Sequence, residues 1–471
     1  MWRGGARGVG PGGGARGPGG APGGRDVAKA ALGALNALNA AFAACGAARR
    51  GAAGRRATGQ DGQVPEDSRS FDLVVYGATG YVGALTAAHL AAHAPPGTRI
   101  ALAGRSREKL AAVRARLPGG REWPLLAADA TDPASLAALA TATRSVVTTV
   151  GPYSRHGLPL VEACARAGTH YADLTGEVLF VREAIDRVDA VARKTGARIV
   201  HACGYDSVPS DLAVLLLHER ATADGAGGLG DVRLVATARG GLSGGTIDSI
   251  RVQVDTMRRD PAARRLAADP FALSPDRAAE PDVPQPPDAG RPARTTDGRW
   301  TAPFLMAAFN TRIVRRSNAL QGFAYGRTLR YAEVMGAGRG PLGAAAAVGI
   351  TGGLFAFLTA MAVPPARALL DRVLPAPGTG PTATARERGW FRMAVDAGTE
   401  SGARYHAEIR GRGDPGYAAT AVMLGQSGLA LALDGERLPD RAGSLTPATA
   451  LGTVLVDRLR TAGHIYEVAP V

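Results

Sequence analysis

Residues 71–83 read FDLVVYGATGYVG: an apolar run, a glycine turn, and the start of an amphipathic segment. Phe71–Tyr76 has the composition of a buried β-strand. Val82, Leu85 and Leu90 recur at helical spacing beyond the turn, and Pro95-Pro96-Gly97 stops the helix. A strand, a GxxGxxG turn and a helix in that order are the context in which such a turn cradles a dinucleotide. Gly77 permits the sharp bend, Gly80 lets a diphosphate approach the backbone, and Gly83 lets the helix pack against the strand. The helix start then offers free N–H groups and a partial positive charge to the phosphates.

The same alternation continues downstream. Arg99–Ala103 is expected as a second strand, and Ser106 caps a helix carrying Leu110, Val113 and Leu117. Trp123–Ala127 is a third strand, and Asp132-Pro133 opens a helix with Leu136 and Leu139. Ser145–Val150 is a fourth strand. Helices over Leu158–Ala167 and Val178–Lys194 and a strand at Arg198–Cys203 complete the series. Strands and helices joined by short links fold as a parallel, doubly wound sheet. The fold class is therefore α/β: a Rossmann domain over 70–208, followed by an α+β substrate and oligomerisation domain over 209–471. In that second domain the pattern predicts a helix at Ser210–Arg220, a strand at Asp231–Ala238 and an amphipathic helix at Thr246–Arg259. It also predicts a surface excursion or lid over 260–300, a hairpin pairing Phe391–Val395 with Tyr405–Ile409, and a helix at Ala418–Leu433.

Residues 1–69 are rich in Gly, Arg, Ala and Pro and read as a disordered leader, or as a stretch upstream of the true translation start. The formal charge of +14 suggests nucleic acid, but this leader alone holds ten Arg or Lys against four acids. No stretch interleaves basic residues with aromatic rings, so nucleic acid is not expected as a partner. Cys45, Cys164 and Cys203 form no CxxC pair, which fits a reduced, cytoplasmic setting. His89 and His93 are spaced to share a metal, but they lack the zincin glutamate and a third ligand, and no metal is expected.

The end of the second strand discriminates between nicotinamide cofactors. An acid there would hold a ribose 2′-hydroxyl; this chain has Ala103-Gly104-Arg105-Ser106, with Lys109 one turn on. Arg105 can grip a 2′-phosphate with its planar fork, and Ser106 can add a hydroxyl, so NADP(H) is the expected cofactor. The cofactor-binding set is Gly77, Ala78, Thr79, Gly80, Tyr81, Val82 and Gly83 in the turn, Arg105 and Ser106, and Asp129 toward the adenine. Val150, Gly151, Pro152 and Tyr153 complete it near the nicotinamide. By placement at strand ends, Tyr153, His156, Tyr171, Glu177, Tyr205, Asp206 and Ser207 are candidates for chemistry. Tyr153, Tyr205 and Asp206 form the expected catalytic set. Ser207 and Asp211 also read as caps of the helix they open.

Pro341–Val363 carries no charge over 23 residues and contains Gly349 and Gly353 at close-packing spacing. A buried or interface helix is the first reading. A segment dipping into a membrane surface is the second, and a true span the third.

From Phe71 onward the chain resembles the saccharopine dehydrogenase-like oxidoreductases, and most closely the trans-acting enoyl reductases of actinobacteria. The stretches that carry this are VVYGATGYVG, ALAGRS, TTVGPYSRHGLPLVEACARAGTHYADLTGE, CGYDSVPSD, SGGTIDS, NTRIVRRSNAL and RGDPGYAATAVMLG. The resemblance implies an enzyme that saturates a carbon–carbon double bond of an acyl or polyketide lipid intermediate, held on a carrier protein, for a synthase without its own enoyl reductase. It also implies lipid biosynthesis as the setting. A homodimer is expected as the working form, with the second domain supplying the subunit contacts. Two alternatives stand beside it. One is an NADP-dependent dehydrogenase acting on an imine or keto substrate. The other is a non-catalytic, membrane-associated nucleotide-binding protein.

Overall fold

The computed structural model describes residues 69–241, 243–372, 374 and 379–471; the leader expected over 1–69 lies, but for Arg69, outside them. Arg69 itself belongs to the fold. It is 2% exposed, and its guanidinium donates to the Ala167 carbonyl at 2.7 Å.

Alternation of strand and helix from residue 71 gives β1 (Phe71–Tyr76), α1 (Tyr81–His93), β2 (Ile100–Gly104), α2 (Arg107–Arg114), β3 (Leu125–Ala127), α3 (Pro133–Thr141) and β4 (Thr143–Thr148). A short helix α4 (Tyr153–His156) follows, then α5 (Leu158–Ala167), β5 (His170–Ala172), α6 (Val178–Thr195), β6 (Arg198–Val200) and α7 (Val208–Ala223). The six strands are parallel, in the order β6-β5-β4-β1-β2-β3. β1 is buried on both faces, as its unbroken apolar run requires. Leu73 and Val75 point to one core, Val74 and Tyr76 to the other. Strand order reverses at β1 and β4, so a crevice opens at their carboxyl ends, beside Gly77 and Thr149.

The second half builds a mixed sheet. Its elements are β7 (Leu229–Arg239), α8 (Gly244–Arg259), α9 (Pro261–Ala268), β8 (Ala293–Arg294), β9 (Arg299–Pro303), α10 (Ala307–Leu320) and β10 (Arg330–Arg339). Then come α11 (Gly340–Ala362), α12 (Pro364–Leu370), α13 (Ala383–Glu387), β11 (Trp390–Thr399), β12 (Arg404–Arg412) and a π-turn at Pro415–Ala419. The chain ends through α14 (Thr420–Leu433), β13 (Gly443–Leu445), α15 (Pro447–Thr461) and β14 (Ile465–Pro470). The sheet order is β14-β12-β11-β7-β10-β9-β8, with only β7 and β10 parallel. The expected hairpin is β11 with β12, Met393 opposite Ile409.

The chain then returns to the first sheet. β13 adds to β6 as a seventh parallel strand. α14 covers the face of β1 and β4: a Cβ on Gly428 would stand 2.5 Å from Val147 and one on Gly425 2.9 Å from His89, so these glycines set the close approach. One apolar core runs from Leu73 and Val147 through Met423 and Leu429 to Phe391 and Met393 on the second sheet.

Two expectations change. The stretch 260–300 is a surface excursion, but not a free lid, because α10 ties it down. Arg312 pairs with Asp288 at 2.6 Å, Arg315 binds the Gln285 side chain, and Arg316, 2% exposed, reaches the Leu273 carbonyl and the Ser444 carbonyl on β13. The apolar helix at 341–363 forms as α11, but it is not buried within this chain: among its residues only Gly343, Ala347 and Met361 are.

Gly83 sits at the tightest point of the phosphate turn, where a Cβ would lie 2.2 Å from the Gly77 carbonyl oxygen. Gly83→Ala is expected to cost about 1–3 kcal/mol of stability, the ordinary penalty of overpacking. Urea unfolding measures it, and an unchanged midpoint would contradict the close packing.

Candidate active site

The glycine turn is built as its sequence requires. Gly77 adopts φ +85, open to glycine and strained for other residues, and its N–H donates to Ala103 O at 2.9 Å. Gly80 N–H closes the turn on Gly77 O, also at 2.9 Å, and a Cβ on Gly80 would crowd that oxygen at 3.3 Å. α1 begins at Tyr81 with no side-chain cap and no acid in its first turn. Its first N–H groups therefore have no intrahelical partner, and the helix dipole adds positive potential. A glycine cradle closed to Cβ atoms and an uncapped helix start fit a dinucleotide diphosphate. Ala78 departs from the expected set: its side chain is fully buried and its amide is spent on Ala103 O. Thr79 stands exposed beside Gly104.

Tyr81 reaches out of the turn toward the C-terminal half. Its hydroxyl donates to Pro381 O and accepts from Arg386, and its ring lies edge-on to Tyr417 with centroids 5.0 Å apart. At the end of β2, Arg105 is exposed, with no ion pair or hydrogen bond among the described residues. Ser106 caps α2, accepting from Lys109 N at 3.2 Å, which leaves its own proton free to donate. Asp129 holds a local turn: Thr131 donates to it through both its amide and its hydroxyl at 2.8 Å. Those bonds, then Arg105 nearby, hold its carboxyl below the usual range.

Over the crevice lies a cavity of about 440 Å³. Gly80, Tyr81 and Val82 form one end, with Thr149, Gly151, Pro152 and Tyr153 beside them. α8 supplies Ile250, Val254 and Met257, the apolar stripe already visible in its sequence. Met306 and Phe309 come from the start of α10, Leu358 from α11, and Tyr417 and Thr420 from the π-turn and α14. Asp206 and Asp248 are its charged wall residues, and no Lys, Arg or His lines it among the described residues. Burial pushes the Asp206 carboxyl up to about 6.

The expected catalytic set divides at this point. Asp206 is on the wall. Tyr153 is there by its ring only: its hydroxyl donates to Thr148 O at 3.0 Å and accepts from Leu174 N at 3.1 Å, so its proton is committed. Burial, then Asp173, raises that phenol far out of working range. Tyr205 does not line the cavity; it is 6% exposed and packs on Phe391. Tyr171 is buried against Asp173. Ser207, at the start of α7, does not cap it but donates to Asn310 Oδ1. Asp211 does not cap it either, accepting instead from Ser317 and from Ala448 N. Val150 lies under the strand end, where its amide donates to the Thr148 hydroxyl.

Glu177 has a positioning role. Its carboxylate accepts from Tyr153 N and Ser154 N, both at 2.9 Å, and from the Ser249 hydroxyl of α8 at 2.7 Å. It thereby fixes the Gly151–Tyr153 loop to the cavity's opposite wall. The local sequence placed Glu177 near the crevice but could not supply Ser249, which is brought in across the fold.

A Rossmann crevice opening into a largely apolar cavity is the arrangement of a nicotinamide-dependent oxidoreductase. Residues 73–200 match the saccharopine dehydrogenase NADP binding domain. A protein named trans-acting enoyl reductase from Mycobacterium ulcerans is 50% identical over 411 residues, covering 85% of this chain and 98% of its own. One of the same name from Mycobacterium bovis is 49% identical over 408 residues, covering 84% and 97%. A Mycobacterium tuberculosis protein carrying that name provisionally is 52% identical over 405 residues, covering 84% and 96%. Yeast saccharopine dehydrogenase (L-Glu forming) aligns over 85% of this chain and 99% of its own, with a TM-score of 0.48 and 13% identity. The chain belongs to the family of these trans-acting enoyl reductases.

Replacing Glu177 by Gln keeps its shape but removes the charge that three donors face. A loss of about 2 kcal/mol is expected, within the range for hydrogen bonds to charged groups. Thermal unfolding measures it, and a change below the scatter of neighbouring surface variants would remove the clamp.

Proposed function

We propose that this chain reduces an enoyl thioester with NADPH, acting in trans on an acyl or polyketide chain held by a carrier protein. The observation that carries the reading is the continuity of the cavity: one end is the dinucleotide turn, the rest is an apolar wall from α8, α10 and α11. Bound NADPH supplies the hydride. The uncapped start of α1 would hold its diphosphate, Arg105 and Ser106 would hold the 2′-phosphate, and the Gly151–Tyr153 loop would border the nicotinamide. Gln253, which lines the cavity and spends one amide hydrogen on Gly176 O at 3.2 Å, has a second to offer the thioester oxygen. Asp206 donates the proton to the α-carbon, because a carboxyl raised to about 6 is in part protonated near neutrality.

The dehydrogenase alternative is less well supported. Imine or keto substrates of the amino-acid type carry carboxylates, which need a cation to recognise them. This cavity offers none among the described residues.

Substitutions at Asp206 and Arg105 test this reading. The rate should fall as pH rises above about 6, as the Asp206 acid is depleted. Asp206→Asn should flatten that limb and slow turnover by about 10²–10⁴-fold, the usual contribution of a general acid. The same raised carboxyl costs the fold stability as pH climbs from the unfolded-state value near 4 toward 6. The Asn variant should therefore be no less stable above that window, and a slow variant that is also unstable would point to a structural role. Arg105→Ala should weaken NADPH binding by about 1–3 kcal/mol, typical of a lost charge-assisted pair, and leave NADH unchanged. Calorimetry with both nucleotides decides it; equal losses would remove Arg105 as the 2′-phosphate clamp.

A further inference from the structure

Of the described residues, eleven large apolar side chains are exposed, and six fall between 342 and 369: Leu342, Val348, Phe355, Leu358, Val363 and Leu369. α11 accounts for the first four. One side of it rests on the body through Gly343, Ala347 and Met361. The outward side of such a helix is ordinarily charged. Here Val348 is 62% and Phe355 74% exposed, Gly349, Gly352 and Gly353 meet only open space, and no charge occurs from Gly340 to Ala366. The helix is held to the fold near both ends, so it lies along the surface and does not leave the fold to cross a bilayer. It is also joined to the active site: Leu358 is 39% exposed and at the same time lines the cavity, as does Met257 of α8.

The surroundings are basic. Arg339 before α11 and Arg367 after it are paired, with Asp297 at 2.9 Å and Asp255 at 2.7 Å, whereas Arg372 beyond α12 is exposed with no ion pair among the described residues. Arg258 and Arg259, directly after Met257, and Arg264 and Arg265 on α9 are exposed, with no ion pair among the described residues. An apolar outward face bordered by arginines is complementary to an anionic leaflet: acyl chains take the apolar side chains and headgroups take the guanidinium groups. A second copy of this chain would bring the same arginines face to face with themselves.

We propose that α11 lies in the surface of an anionic bilayer, with its Leu358 end opening the cavity to the lipid phase, so that the acyl chain passes from membrane to active site without crossing water. The portal rests on the enoyl reductase reading; the membrane contact does not.

Full-length protein is sedimented with vesicles of phosphatidylcholine alone and of phosphatidylcholine mixed with phosphatidylglycerol, and its mass is measured by light scattering. Wild type should partition onto the anionic vesicles, and less so as salt is raised. The double substitution Val348→Glu and Phe355→Glu should lower the partition by about tenfold or more, since each removes an exposed apolar anchor. It should retain NADPH affinity, which shows that it is folded. It should also reduce a short, water-soluble enoyl thioester at the wild-type rate, and a vesicle-embedded enoyl lipid more slowly. Undiminished partition by the variant, or none by wild type, overturns the proposal. So does a wild-type dimer that the double variant splits, which would assign the face to a second copy. If wild type ignores the soluble thioester, the enoyl reductase reading fails while the partition result stands.

Discussion

The start of α1 is the constraint on which the rest of the site depends. A helix that begins without a cap, beside a strand end, presents donors and positive potential that only an anion can satisfy well. Three glycines make this geometry available. Gly77 supplies the left-handed bend, and Gly80 and Gly83 leave out side chains that would strike the Gly77 carbonyl. The Gly151–Tyr153 loop follows β4, the strand paired with β1 on the far side of the crevice, so it faces the same crevice as the glycine turn.

What the crevice cannot do alone, the C-terminal half completes. α14 seals the face of β1 and β4, the π-turn puts Tyr417 against Tyr81, and α8 gives the cavity its apolar wall. Glu177 joins the halves electrostatically, with two donors from the loop after β4 and one from α8. A lipid-like substrate suits this arrangement: among the described residues the wall offers alkyl groups and the carboxyls of Asp206 and Asp248, and no cation to recognise a charged metabolite.

The sequence was most informative where structure is determined locally. β1, its turn and α1 are legible because burial on both faces, glycine chemistry and helical spacing all act within 20 or so residues. β5 and β13 escape such reading, since three residues each, HYA and GSL, form strands only through partners far along the chain. α10 was also illegible, because it is buried nearly all round: beside Phe309, Ile313 and Val314 it buries Arg312, Arg315 and Arg316, whose guanidinium groups are satisfied by partners far along the chain, among them Asp288, the Gln285 side chain and the carbonyls of Leu273 and Ser444. The roles of the tyrosines turned on the same distinction. Placement at a strand end brought the Tyr153 ring to the cavity but not Tyr205, which packs on Phe391, and the partners of the Tyr153 hydroxyl, Thr148 O and Leu174 N, are properties of the folded chain.

Enoyl reduction requires the cofactor turn and the apolar cavity to meet, and a tracer experiment tests this most directly. The full-length protein is incubated with NADPH deuterated on the transferable position of its nicotinamide ring and with a carrier-bound enoyl chain, and the acyl product is analysed by mass spectrometry. A saturated chain carrying the label at the β-carbon is the expected result. An enoyl chain recovered unlabelled and unsaturated, while the same protein reduces an imine or ketone, would contradict it.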